Sequence, residues 1–232
     1  MNAIKSKVTS YKDFKTLDDC IFLQNKFNLT EVYGDFPELR SKMGSGGKEK
    51  RLTTSIFSFS ELFSDSPFEG SVKILGLIGK NERCYKYIAE KYLDENFGNL
   101  LGYKVILPKS NGSGAIGKGL STPLIGKPLI GEPLVGYTQS FIGFCNFRTK
   151  NEAEALLKYI KTKFARTLLG VLKITQDNNP GTWKYVPLQD FTAASDIDWT
   201  KSVAEIDRQL YKKYDLSEEE IRFIETRVKE MV

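Results

Sequence analysis

The residues best equipped for chemistry sit on a glycine-rich loop. Lys109-Ser110-Asn111-Gly112-Ser113-Gly114-Ala115-Ile116-Gly117-Lys118-Gly119 carries cations, an amide and hydroxyls, and Lys104 precedes it. That chemistry is binding: lysines for anions, amide and hydroxyls for hydrogen-bonding edges, with glycines that let the backbone approach another surface closely. A tight surface turn would use the same residues. The loop is not a nucleotide phosphate cradle, because neither GxxxxGKS/T nor a GxGxxG after a strand occurs. A second group, Lys158, Arg166 and Lys173, falls within an arc of about 80° if residues 149–176 are one helix at 100° per residue. Phosphate contact and an ordinary solvated face both fit it. Gln176, Asn178 and Asn179 form a third group, on a loop broken by Pro180-Gly181.

The elements that must hold these groups are legible in outline. Thr53–Phe59 alternates as a strand does, Val72–Ile78 is a short apolar run, and Tyr103–Leu107 is a strand stopped by Pro108. A short helix is expected over Glu90–Asn96. Three near-copies of one pentamer follow the loop: Pro123-Leu124-Ile125-Gly126, Pro128-Leu129-Ile130-Gly131 and Pro133-Leu134-Val135-Gly136. A proline every fifth residue forbids a helix and predicts an extended, partly buried crossing segment. It leads into a strand over Tyr137–Phe147. Thr149-Lys150-Asn151-Glu152 is a capping box that opens a helix expected to reach Gln176, with Ala153, Leu157, Ile160, Phe164, Leu168 and Val171 on its inner side. Trp183–Leu188 reads as extended. Helices are expected over Ser202–Tyr214 and, from a second capping box at Ser217-Glu218-Glu219-Glu220, to about Met231. The fold class is α+β: a mixed or antiparallel sheet packed by a long helix and closed by C-terminal helices.

Composition narrows the functions. The chain has no histidine, which excludes Ser-His-Asp and Cys-His nucleophile systems and histidine-ligated metals. Cys20, Cys84 and Cys145 are widely separated, form no CxxC pair, and are expected as buried thiols. Net charge is +5, while Asp190, Asp196, Asp198, Glu205, Asp207, Asp215, Glu218–Glu220, Glu225 and Glu230 make the C-terminal end acidic and leave the middle more basic. Lysines and Arg51 on the Gly/Ser-rich loop of residues 41–51 are further candidates for an anionic backbone, or simply a solvated loop. No apolar run is long enough to cross a bilayer, and the first residues lack the apolar core of a secretory signal.

From about residue 72 onward the chain resembles the C-terminal target-recognition, or specificity, region of Eco57I-like and TaqI-like type II restriction–modification adenine-specific DNA methyltransferases. The resembling stretches are YKVILPKSNGSGAIG (103–117), STPLIGKPLIGEPLVGYT (121–138), FRTKNEAEALLKYIKTKFARTLLGVLKITQDN (147–178) and WKYVPLQDFTAASDIDWTKSVAEIDRQLYKKYDLSEEEIRFIE (183–225). The first 70 residues carry no such likeness. The family's catalytic Asp/Asn/Ser-Pro-Pro-aromatic motif, which holds a flipped adenine, is missing: Asn179-Pro180-Gly181 lacks the second proline and the aromatic ring. The methyl-donor glycine turn is missing too. A PD…(D/E)xK nuclease centre is not formed by Pro37-Glu38 and Leu39–Lys42, where no strand is expected.

The resemblance implies a sequence-specific binder of double-stranded DNA without chemistry of its own. S-adenosylmethionine would serve the parent enzyme and no cofactor this chain. The other partner would be the catalytic methyltransferase or nuclease domain of the parent polypeptide, in the cytoplasm and away from membranes. On this reading Lys104, Lys109, Ser110, Asn111, Ser113 and Lys118 face the DNA, with base edges read by the amide and hydroxyls. Lys158, Arg166 and Lys173 give charge to phosphates, and Gln176 lies on a second contacting loop. Residues 1–180 would form the recognition domain, and 181–232 a helical segment packed on it. Two other classes stay open: a protein-interaction module docking its acidic helices onto a catalytic subunit, and an enzyme using Asp196 and Asp198, which otherwise belong to a helix N-cap region.

Overall fold

The three pentamers decide how the β-structure is tied together. In the computed structural model, which describes all residues except 95, 97, 111–123, 174 and 232, the elements run α1 (Asn2–Thr9), β1 (Ile21–Phe22), α2 (Leu29–Asp35), α3 (Leu39–Lys42), β2 (Ser71–Ile78), β3 (Glu82–Ala89), β4 (Tyr103–Pro108), β5 (Leu129–Gly131), β6 (Val135–Tyr137), β7 (Phe141–Phe147), α4 (Lys150–Lys161), α5 (Lys163–Leu169), α6 (Val203–Lys213) and α7 (Glu218–Arg227). The strands form two sheets, an antiparallel one in the order β1-β7-β4-β5 and a mixed one in the order β3-β2-β6. The first pentamer buries Leu124 and Ile125 in the main core. The second forms β5 on the edge of the antiparallel sheet. The third enters β6, parallel to β2 in the other sheet.

Each pentamer ends on a glycine because each ends at a close crossing. A Cβ at Gly126 would lie 2.7 Å from Pro108 Cγ, at Gly131 2.7 Å from Ile106 Cδ1, and at Gly136 2.7 Å from Ile74 Cδ1. A larger residue at any of the three would require the facing side chain to shift.

The expected long helix is two helices. Thr162 leaves helical geometry at ψ 149, and its hydroxyl accepts the N–H of Ala165 as the cap of α5. The N–H groups of Lys163 and Phe164 are satisfied from a distance, by Asp207 Oδ2 at 2.9 Å and Oδ1 at 2.8 Å. Burial pushes the Asp207 carboxyl up to about 6, against the pull of those two donors. This break changes the phase of everything after residue 162, and α5 ends at Leu169 well short of Gln176.

Two further expectations are corrected. Thr53–Phe59 is no strand: Ile56–Ser58 is a 3₁₀ turn that drops Ile56 into the core and lays Phe57 over Gly76. Only Glu90–Tyr92 turns helically, because the chain there bonds instead to residues 26–28, through Asn28 N–H to Tyr92 O and Asp94 N–H to Lys26 O. The expected capping boxes at Thr149 and Ser217 form, and a further one, Ser202 with Glu205, opens α6. Leu39–Lys42 is a helical turn.

The main core lies between the antiparallel sheet and the helices. It takes Ile4 and Val8 of α1, Val105 and Leu107 of β4, Leu156 and Ile160 of α4, and Leu210, Ile224 and Val228 near the C-terminus, so it continues across residue 180. A second core gathers residues 27–100 around Ile74 and Ile88, and Leu75, Ile106, Tyr137 and Phe141 form a third cluster. Cys20 and Cys145 are not free thiols as expected. They form a disulfide with Cα atoms 4.7 Å apart, beside the β1–β7 pair Ile21–Phe144 that sets them opposite each other. Among the described residues no helix is long and apolar enough to cross a membrane.

Candidate nucleic-acid interface

Charge, amide and hydroxyl chemistry and loop position suggested ten contact residues, seven of them among the described residues, and the fold sorts them. Asn111, Ser113 and Lys118 lie outside the described residues. Lys104 is corrected: it is fully buried on β4, and its ammonium donates to the carbonyls of Asn99, Leu100 and Gly102 at 2.8, 3.1 and 3.0 Å. Those three acceptors match the three donors of an ammonium, while burial pushes its pKa down to about 7. Such a lysine holds a loop together and touches no phosphate.

The basic helix face also dissolves. Arg166 is buried, donating from Nη2 to Lys229 O at 2.6 Å and from Nε to Lys161 O at 3.1 Å, with burial lowering its pKa to about 10. Lys173 lies beyond α5, buried, with Nζ on the carbonyls of Thr175 and Gln176. Lys158, half-buried on α4, donates to Trp199 O, Thr200 O and Lys201 O at 2.8, 3.3 and 3.0 Å. In each case a cation caps backbone carbonyls that no regular element satisfies.

What remains converges. β4 ends at Pro108, and Lys109 and Ser110 follow it. The N–H of Asn178 donates to Lys109 O at 2.6 Å, the amide of Asn178 donates to Pro108 O at 3.1 Å, and Ser110 pairs with Asp177 in an isolated bridge. The two predicted loops are therefore one surface, with Lys109 half-buried and Ser110 and Gln176 exposed. The N–H of Lys109 donates in turn to Ser140 O at 2.8 Å, and the Ser140 hydroxyl to Thr54 Oγ1 at 3.0 Å.

Pro108, Lys109, Ser110, Ser140, Thr54 and Asp177 line an open cleft of about 740 Å³ together with Asn81, Arg83 and Gln139. Asn81 stands at the β2–β3 turn, where Gly79 at φ 49 and Asn81 at φ 67 supply the left-handed backbone that such a turn needs. Two cations, Lys109 and Arg83, face one carboxylate, Asp177, and the rim offers amides and hydroxyls. Asn81, Arg83 and Gln139 were not singled out from sequence. Gly79-Lys80-Asn81 between two strands is a readable turn signal, but nothing local places Arg83 or Gln139 at the end of another sheet.

A second cleft, of about 630 Å³, lies between α4 and residues 191–200 and carries Glu154, Asp196 and Asp198. Its one lysine, Lys158, is the one occupied by carbonyls. Asp198 accepts from Thr200 N–H and Oγ1, which hold its carboxyl below the usual range, and Asp196 pairs with Lys213 at 2.9 Å. Those contacts are a turn and an ion pair, and the surface is one that repels phosphate. No group of histidine, cysteine or carboxylate side chains among the described residues could hold a metal.

In comparisons with family models, curated proteins and solved structures, nothing matches the chain.

Proposed function

We propose that the chain is a recognition domain for double-stranded DNA that works beside the catalytic part of a restriction–modification adenine methyltransferase. The observation that carries this reading is the convergence of Lys109, Ser110, Asn81, Arg83 and Gln139 on one open cleft. Cations there suit phosphates, and neutral donors and acceptors beside them suit base edges. The resemblance of residues 103–225 to specificity regions supplies the biological setting. On this reading the chain transfers no methyl group itself. S-adenosylmethionine is bound by the catalytic domain, and both work in the cytoplasm.

The acidic cleft of Glu154, Asp196 and Asp198 favours one addition: it is a surface for a cationic protein partner rather than for DNA. The test is binding of the purified chain to a labelled duplex at low and moderate salt, with a methyl-transfer assay in parallel. Salt-sensitive binding without transfer is expected. A chain that ignores DNA at low salt overturns the reading.

A further inference from the structure

Arg83 differs from the other cations of the surface in how it is held. It lies on β3 opposite Leu77, one strand position from the β2–β3 turn. Its side chain crosses to the segment between the first two pentamers, where Nη2 donates to Lys127 O at 2.5 Å. The guanidinium carbon sits 5.8 Å from the centre of the Phe141 ring. Among the described residues no carboxylate pairs with it, whereas Lys86, three residues further along β3, is paired with Asp65 at 2.8 Å. One hydrogen of the fork is thus fixed, and the residue lines the open cleft.

We infer that Arg83 is a specificity-determining residue that reads a guanine edge, a proposal that rests on the DNA-binding reading above. A guanidinium presents two parallel N–H donors that match O6 and N7 of guanine, and a lysine does not. For a phosphate either cation serves. Pre-positioning by Lys127 and Phe141 matters for base reading, where orientation is needed, and adds little to phosphate contact. Asn81 and Gln139 flank Arg83 on the same cleft and extend the reading to neighbouring base pairs.

The test selects bound sequences from a randomised duplex library with the wild-type chain, Arg83→Lys and Arg83→Ala. Thermal unfolding confirms that these exposed-site variants fold. The wild type should enrich a motif containing at least one G·C pair. Arg83→Lys should bind unselected DNA within about twofold of wild type yet lose roughly five- to a hundredfold of its discrimination at that pair. Arg83→Ala should lose the same discrimination and also bind all DNA more weakly. An unchanged motif in Arg83→Lys makes the residue a phosphate contact and overturns the inference, as does wild-type binding that enriches no motif. Absence of any wild-type binding at low salt overturns the DNA reading itself.

Discussion

The backbone N–H of Asn178 meets the carbonyl of Lys109 at 2.6 Å, and that bond turns two loops far apart in sequence into one surface. The side chain of Asn178 secures the same junction by donating to Pro108 O. Asn178→Ala should leave that carbonyl without its donor and cost about 1–3 kcal/mol, a fall in Tm of roughly 2–4 °C for each kcal/mol. DNA affinity should fall with it, because Lys109 and Ser110 lose their backing. Unchanged melting and unchanged affinity would show that the junction does not position the cleft.

Lys104 gives a pH signature. Its pKa is about 7 in the folded chain because it is buried, and about 10.4 when unfolded. Between those values the unfolded state binds more protons, so this residue makes stability rise with pH. Below about pH 7 both states are charged and the slope vanishes. Measured by denaturant unfolding, the difference between wild type and Lys104→Met should grow from pH 7 to 10, by up to about 1.4 kcal/mol per unit in mid-window. Parallel curves for the two proteins would mean that the three carbonyls keep the ammonium charged throughout.

The break at Thr162 depends on Asp207. Asp207→Ala leaves two N–H groups of α5 without an acceptor and Arg166 without its nearby carboxylate. A loss of about 2–4 kcal/mol is expected from the unmet donors. Asp207→Asn retains one acceptor oxygen and should recover part of it. Chemical denaturation of the three proteins decides this, and equal stability of all three would contradict it.

These cases show where sequence reading reached and where it stopped. Capping boxes at Thr149 and Ser217 are local, completed within three residues, and they were legible. So was β4, ended by Pro108. The break after Lys161 was not, because its cause lies 44 residues away in Asp207. The burial of Lys104, Arg166 and Lys173 was equally hidden: charge suggests solvent, and only the fold reveals the orphan carbonyls each one serves. Of the cleft, Lys109 and Ser110 could be read from loop composition, whereas Gln176 lies on the adjoining loop and does not line it. Arg83 and Gln139 could not, since they reach it through strand pairing.

Lys158 provides a control for that distinction. Its ammonium holds Trp199, Thr200 and Lys201 carbonyls. Lys158→Ala should lower stability by about 1–3 kcal/mol and leave the salt dependence of DNA binding as it was. A shallower salt slope in this variant would mean that α4 meets phosphate after all.

The most direct test of the cleft is the slope of log affinity against log salt for a duplex, compared between wild type and the Lys109→Ala, Arg83→Ala double variant. Each phosphate contact contributes about 0.9 to the slope. With Lys109 at a phosphate and Arg83 at a base edge, the double variant should be shallower by about 0.9. Its melting temperature should be near that of wild type. A slope unchanged by the double substitution, or wild-type binding indifferent to salt, would contradict the claim that this cleft receives DNA.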